Sequence, residues 1–426
     1  MSLQGLVDLL RQSKEFAAVS QKIQRGRGHL VSGLSGAQRS VFLSTIFDPD
    51  HVMLIITHSP MHAERMAQDL EGLLPEQQIL VWEGNELMPY EEAVPAWDLR
   101  AHRLEVLLAA GKPGTLIIAP IQALLETLIE PDYFLKSQFS VNYHTRIQTD
   151  EIAERLVDLG YERTAMVEGY GQFSIRGGIV DISPFHLEHP IRIELFDDEV
   201  DSIRTFRFET QKSIENISEV VIAPARETLY SSQRLSAIAD AIWASADKQA
   251  QKLHRIGRRQ EADDLLAQIA RHMEQFEEQR YFPGMDQYKA FLGNLATLLD
   301  YLPKNTLVVL DEPARIKDNA RTTYLELNEN LTQLLEKGRL LPEIKQLYVE
   351  WDQLWSQIQR FSVIYLSVLG KRIQGMEKLE SSSLGLRMPE HFSGHLDRVI
   401  HKVKQYRKDL YRVLVVTAHK ERGERL

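Results

Sequence analysis

Gly33-Leu34-Ser35-Gly36-Ala37-Gln38-Arg39-Ser40 lies close to the pattern G-x-x-x-x-G-K-[ST], which cradles the phosphates of a nucleotide. Such a loop works because consecutive backbone N–H groups and a helix N-terminus point at the anion. Its second glycine lets the backbone approach, and its lysine reaches the β and γ phosphates. Here Gln38 puts a side chain where close approach is needed, and Arg39 replaces a compact ammonium with a planar fork of different reach. Ser40 keeps a hydroxyl able to hold Mg²⁺. Much later, Asp311-Glu312 ends the apolar run "NTLVVLDEP", where an ATPase places its metal-holding Asp and water-orienting Glu. The residues alone leave two readings open. One is a nucleotide site with broken parts; the other is an ordinary turn at Gly33 and Gly36, with two carboxylates capping a strand in solvent.

The elements around these residues are those a phosphate loop requires. "HVMLIITHS" (51–59), "QILVW" (78–82) and "GTLIIAP" (114–120) read as buried strands. Between them "MHAERMAQDLEGLL" and "LRAHRLEVLLAA" read as helices, and "IQALLETLI" reads as the helix after the last strand. Alternation of this kind predicts a parallel sheet covered by helices. From Phe139 the pattern changes. One helix, "TDEIAERLVDLG", is expected with Thr149 as N-cap and Gly160 as C-cap. "FSIRGGIVDISPF" then gives two strands around Gly177-Gly178, and "IRIELFDDEVDSIRTFRF" alternates at period two about Asp197-Asp198, as a hairpin does. This is a small α+β domain inserted after the first sheet.

Helix is expected from Ser232 to Gln279 and again over 322–360, where Trp351 and Trp355 sit four residues apart as packing residues. "EKLESSSLGLRMPE" (377–390) reads as a linker or surface loop, followed by a helix over 395–408 and a strand, "YRVLVVTA" (411–418). A strand and half a helix cannot bury their faces alone, so the chain is expected to be a piece of a longer protein.

The 426 residues carry 43% hydrophobic and 26% charged side chains, the balance of a folded globular chain. No run approaches 18 apolar residues, and no N-terminal signal pattern is present. Cysteine is absent, which rules out disulfides and thiolate metal sites and fits a cytoplasmic protein. Fifty Lys and Arg against 60 Asp and Glu give a formal charge of −10, which disfavours a nucleic-acid platform. The densest basic stretch, His254 to Arg259, is followed at once by Glu261, Asp263 and Asp264 and reads as a solvated face.

"YFPGMDQYKAFL" (281–292), "LLDYLPKNTLVVLDEP" (298–313), "ELMPYEEAVP" (86–95) and the "RGGIVDISP…IRIELFDDEVDSIRTF" block (176–206) together resemble the excision-repair helicase UvrB. The spacing of these blocks is most similar to bacterial transcription-repair coupling factors, whose N-terminal third is a UvrB-like module with a decayed ATP site. The resemblance is strong over about residues 5–315 and looser beyond. It implies a RecA-like lobe in two parts, 1–138 and 225–350, an inserted UvrA-binding domain at 139–224, and the start of a following α/β domain at 351–426. It implies that Arg176, Arg192 and Phe196 contact UvrA. Each has a plainer reading: Arg176 pins its turn, Arg192 pairs across the hairpin with a carboxylate, and Phe196 belongs to the core. Parity with Ile191, Ile193 and Leu195 puts Phe196 on the opposite face.

UvrB's long aromatic hairpin has no counterpart between Glu91 and Pro113, where Trp97 is the one aromatic. The resemblance therefore implies a monomeric UvrA-recruiting module with no cofactor of its own in the bacterial cytoplasm. ATP, Mg²⁺, RNA polymerase and double-stranded DNA would be engaged by a motor and other domains outside this chain. The alternative is an active UvrB-type helicase subunit.

Overall fold

A computed structural model describes residues 3–25, 28–85, 87–91, 93, 96–278, 281–368, 379–384 and 396–413. Helices α1 (Gln4–Arg11) and α2 (Lys14–Arg25) precede β1 (Gly28–Ser32), and α3 (Gln38–Ile46) follows the phosphate-loop-like turn. β2 (Met53–Thr57), α4 (Pro60–Leu73), β3 (Gln78–Val81), α5 (Trp97–Ala109) and β4 (Thr115–Pro120) continue the expected alternation. Every position of β2 and β4 is buried. Their uninterrupted apolar runs, rather than a period of two, follow from helices covering both sheet faces.

The helix expected over "IQALLETLI" is shorter than its sequence suggests. It stops as α6 (Ile121–Leu124), and the chain then extends through β5 (Leu128–Ile129). Tertiary partners explain the change: Glu126 bridges to Tyr348, and the Thr127 N–H donates to the Leu347 carbonyl at 2.9 Å. After α7 (Pro131–Lys136) the inserted domain begins. It contains β6 (Phe139–Asn142), α8 (Thr149–Asp158), β7 (Glu162–Arg163), β8 (Gln172–Arg176) and β9 (Ile179–Ile182). The hairpin β10 (Ile191–Phe196) and β11 (Glu199–Phe206) follows, then β12 (Ser213–Asn216) and β13 (Glu219–Ile222). Six strands form one sheet in the order β12-β11-β10-β9-β8-β7, and β13 pairs with β6 apart from it. Ile152 and Leu156 of α8 share a core with Phe173, Val180, Ile191 and Ile203 of that sheet. Thr149 is the first helical residue rather than the cap; Gln148 holds that place without a side-chain cap bond. Gly160 takes the left-handed φ of +84° just past the helix, as its position led one to expect.

The long helical stretch after Ser232 is two helices, α9 (Ser232–Arg255) and α10 (Arg259–Glu277), turned at Gly257 with φ +83°. The basic residues 254–259 occupy this turn. β14 (Leu295–Ala296) pairs with β5, β15 (Leu307–Asp311) enters the large sheet, and α11 (Pro313–Glu336) and α12 (Trp351–Ile358) follow. Trp351 and Trp355 stack at 5.4 Å between centroids, as packing residues. β16 (Ser362–Ser367) and β17 (Glu380–Ser383) complete an all-parallel seven-stranded sheet in the order β17-β1-β16-β15-β2-β4-β3.

The expected domain boundary at 351 therefore moves. β16 lies between β1 and β15 at the middle of the first sheet, and the compact unit runs through Leu384. Part of the supposed linker, Glu380–Ser383, is an edge strand instead. A second unit spans Gly385–Leu426, within which α13 (Leu396–Lys408) is described; most of the strand expected at 411–418 lies outside the described residues. No helix among the described residues is long and apolar enough to cross a membrane.

Candidate functional site

The phosphate-loop-like turn joins β1 to α3 at the carboxyl end of the large sheet. Gly33 (φ +86°) and Gly36 (φ +52°) both use backbone angles that favour glycine. Gln38 bends back on the loop: its Oε1 accepts from the Ser35 N–H at 3.1 Å and the Ser35 hydroxyl at 3.2 Å. Arg39, in the first turn of α3, crosses to the end of β15. Its Nη1 lies 2.5 Å from Asp311 Oδ1, and its Nη2 donates to Glu312 Oε1 at 2.5 Å. Arg39 Nε also donates to the Leu34 carbonyl at 3.3 Å. The guanidinium and Asp311 are both buried, so their attraction acts in a low-dielectric setting, and multiple contacts offset the cost of desolvation.

The remaining parts are engaged too. The Ser40 hydroxyl donates to Asp69 on α4 at 3.0 Å. His62 Nε2 lies 2.5 Å from the second oxygen of Asp311. Glu312 sits in the left-handed region (φ +63°), and its carboxylate accepts from the Val368 N–H at 2.8 Å. The fold therefore brings all seven residues picked out from the sequence to one place, where the cationic partner of the two acidic groups is the chain's own arginine. His58 and His62 went unremarked in the sequence; "THSPMH" directly after a buried strand was the available signal. Their rings lie 4.9 Å apart, and burial, followed by His62, lowers the His58 pKa.

In the inserted domain, Arg176 and Arg192 converge on one buried carboxylate, Asp181 of β9. Arg176 Nη2 lies 2.6 Å from Asp181 Oδ2, while Arg192 donates from Nε at 2.6 Å and from Nη2 at 2.9 Å. Arg192 also lies over the Phe206 ring at 4.7 Å. Its hydrogen bonds to Asp181 raise its pKa. Its partner is on the neighbouring strand, not across the hairpin; the pair across the hairpin is Arg204 with Glu194. Arg192 is mostly covered, whereas Arg176 is about half exposed. Asp181 was missed in the sequence, although a lone carboxylate inside "GIVDIS" was its signal.

Ile191 and Ile193 are fully buried and Phe196 is 80% exposed, the parity expected of β10. The Leu195 N–H donates to the Gly178 carbonyl at 2.7 Å, so the Arg176-Gly177-Gly178 turn and the Phe196 tip share one end of the sheet. A Cβ on Gly178 would meet the Leu195 carbonyl oxygen at 2.6 Å, so this close approach demands glycine.

The UvrB interaction domain family matches residues 139–228. The whole chain is 32% identical over 429 residues to a transcription-repair-coupling factor of Bacillus subtilis (strain 168), covering 36% of that protein. It is 26% identical over 427 residues to the protein of the same name in Staphylococcus aureus (strain MRSA252), again covering 36% of it. The chain thus spans about a third of the length of the curated relatives it matches. From end to end the chain is similar to about a third of the transcription-repair-coupling factors, and residues 139–228 match the UvrB interaction domain family.

Proposed function

We propose that this chain recruits UvrA within a transcription-repair-coupling factor and hydrolyses no ATP itself. Phe196 carries the reading: a large apolar side chain is 80% exposed at the tip of a hairpin in which Ile191, Ile193 and Ile203 are fully buried. It stands beside a half-exposed Arg176 in a domain of the UvrB interaction family. An exposed aromatic flanked by arginine suits a protein interface, because it supplies an apolar anchor and a bidentate donor for carboxylates. Arg192 supports the surface from beneath by holding Asp181.

The inactive nucleotide position is supported by Arg39, which occupies both the carboxylate that would hold Mg²⁺, Asp311, and the one that would orient water, Glu312. RNA polymerase, double-stranded DNA and ATP with Mg²⁺ would be engaged by parts of the longer protein outside this chain. A UvrB-type helicase subunit would need Arg39 to vacate that site. Binding of UvrA to wild type and to Phe196→Ala, measured by isothermal titration calorimetry, tests the recruitment reading. A loss of about 1–3 kcal/mol with an unchanged melting temperature is expected, and equal affinities would refute it. ATP turnover that is abolished by Ser40→Ala would refute the second part.

A further inference from the structure

A cavity of about 600 Å³ opens between the inserted domain and the helical segment. Arg100, Arg163, Arg226, Thr228, Tyr230 and Tyr281 line it. Neither the sequence patterns nor the UvrA reading makes use of it. Arg226 is fixed in its wall: Nε donates to the Gly160 carbonyl at 3.2 Å, and the guanidinium lies 3.4 Å from the centre of the Tyr281 ring. Gly160 is required beneath it, since a Cβ there would meet Arg226 Cγ and Cδ at 2.9 Å. Among the described residues, no carboxylate lies within ion-pair distance of Arg226 or of Arg100. Burial, and then the like charge of Arg100, lower the Arg226 pKa to about 10. Asp286 and Glu162 oppose that shift only in part, so two cations face one recess with no carboxylate in direct contact with either, at a cost in desolvation and repulsion that a bound anion would relieve.

We propose that this cavity binds a small organic phosphate, held by Arg226 and Arg100. Its volume falls in the range of small-molecule sites. Planar guanidinium groups suit phosphate oxygens bidentately, and the Tyr281 and Thr228 hydroxyls add neutral donors, whereas the Tyr230 hydroxyl already donates to the Met285 carbonyl at 3.1 Å. Glu162 and Glu278 also line the cavity, and the chain carries a formal charge of −10, so an extended polyanion is opposed where a compact phosphate is not. One face of Tyr281 is already covered by Arg226.

Titration calorimetry at low salt tests this with three probes: inorganic pyrophosphate, a nucleoside triphosphate, and a single-stranded oligonucleotide lacking a terminal phosphate. Both phosphate compounds are expected to bind wild type, and Arg226→Gln and Arg100→Gln each to weaken binding by about tenfold or more. Arg100 is only half-buried and lies over the Phe185 ring at 6.0 Å, so Arg100→Gln, checked for an unchanged melting temperature, decides the matter alone if Arg226→Gln lowers its own. Absence of pyrophosphate binding to wild type, or binding unchanged in Arg100→Gln, overturns the proposal. So does an oligonucleotide that binds more tightly than pyrophosphate and loses affinity in the same variants, because the site would then follow a nucleic-acid backbone. UvrA affinity is read separately through Phe196→Ala, so either proposal can fail without the other.

Discussion

Arg39 decides the chemistry of the loop it belongs to. A lysine there would extend toward a phosphate as a point charge, whereas the arginine fork spans the two carboxylates at the end of β15. Asp311 is fully buried, so removing its cation leaves a charge with no solvent to receive it. Arg39→Ala is therefore expected to destabilise the chain by about 3–5 kcal/mol in urea denaturation, the scale for breaking a buried pair. Double replacement with Asp311→Asn should recover part of that loss, because the stranded charge is then gone. If Arg39→Ala costs nothing, the site is open enough for water or a metal to replace the guanidinium, and the inactive reading loses its support.

At the scale of elements, one buried ionic group ties the inserted domain to the first sheet. Arg103 of α5 lies over the Trp82 ring at 3.8 Å and donates to both oxygens of Glu227, at 2.5 and 2.8 Å. It also meets Glu126 at 3.1 Å. Burial by itself would raise the Glu227 pKa, but the adjacent Arg103 outweighs it, and the net shift is downward. A carboxyl lowered in the folded state contributes stability that is present above its unfolded pKa, about 4.3, and is lost as pH falls through its folded value. Glu227→Gln is therefore expected to reduce stability at pH 7, with the difference from wild type narrowing below about pH 4. Parallel urea titrations across pH check this; a difference that stays constant with pH would mean that the contact is not ionic.

For the whole molecule, the path of the chain through the large sheet matters more than its order in sequence. β16 is inserted between β1 and β15, so residues after 351 complete a sheet begun at residue 28. A chain ending at Glu350 would leave the pairing edges of β1 and β15 bare in the middle of the sheet and lose the core residues Val363, Ile364, Tyr365 and Leu366. It is expected to show no cooperative thermal transition, whereas a chain ending at Leu384 keeps one. Circular dichroism melts of the two lengths decide it, and a sharp melt for the shorter chain would place the boundary back at 351.

Local patterns determined much of this protein before any fold was known. Apolar runs marked β2, β4 and β15, period-two alternation marked the β10–β11 hairpin, and parity set Phe196 outward, because each depends on neighbours in sequence. The motif blocks likewise brought the UvrB likeness into view. Other features were decided by partners far along the chain. Arg39 and Glu312 are 273 positions apart, Asp181 collects two arginines from different strands, and Thr127 leaves the helical path because the Leu347 carbonyl waits beside it. Propensity and spacing carry no information about such meetings. Electrostatic pairing and backbone hydrogen bonding in a buried setting exist only once the sheet has closed around them.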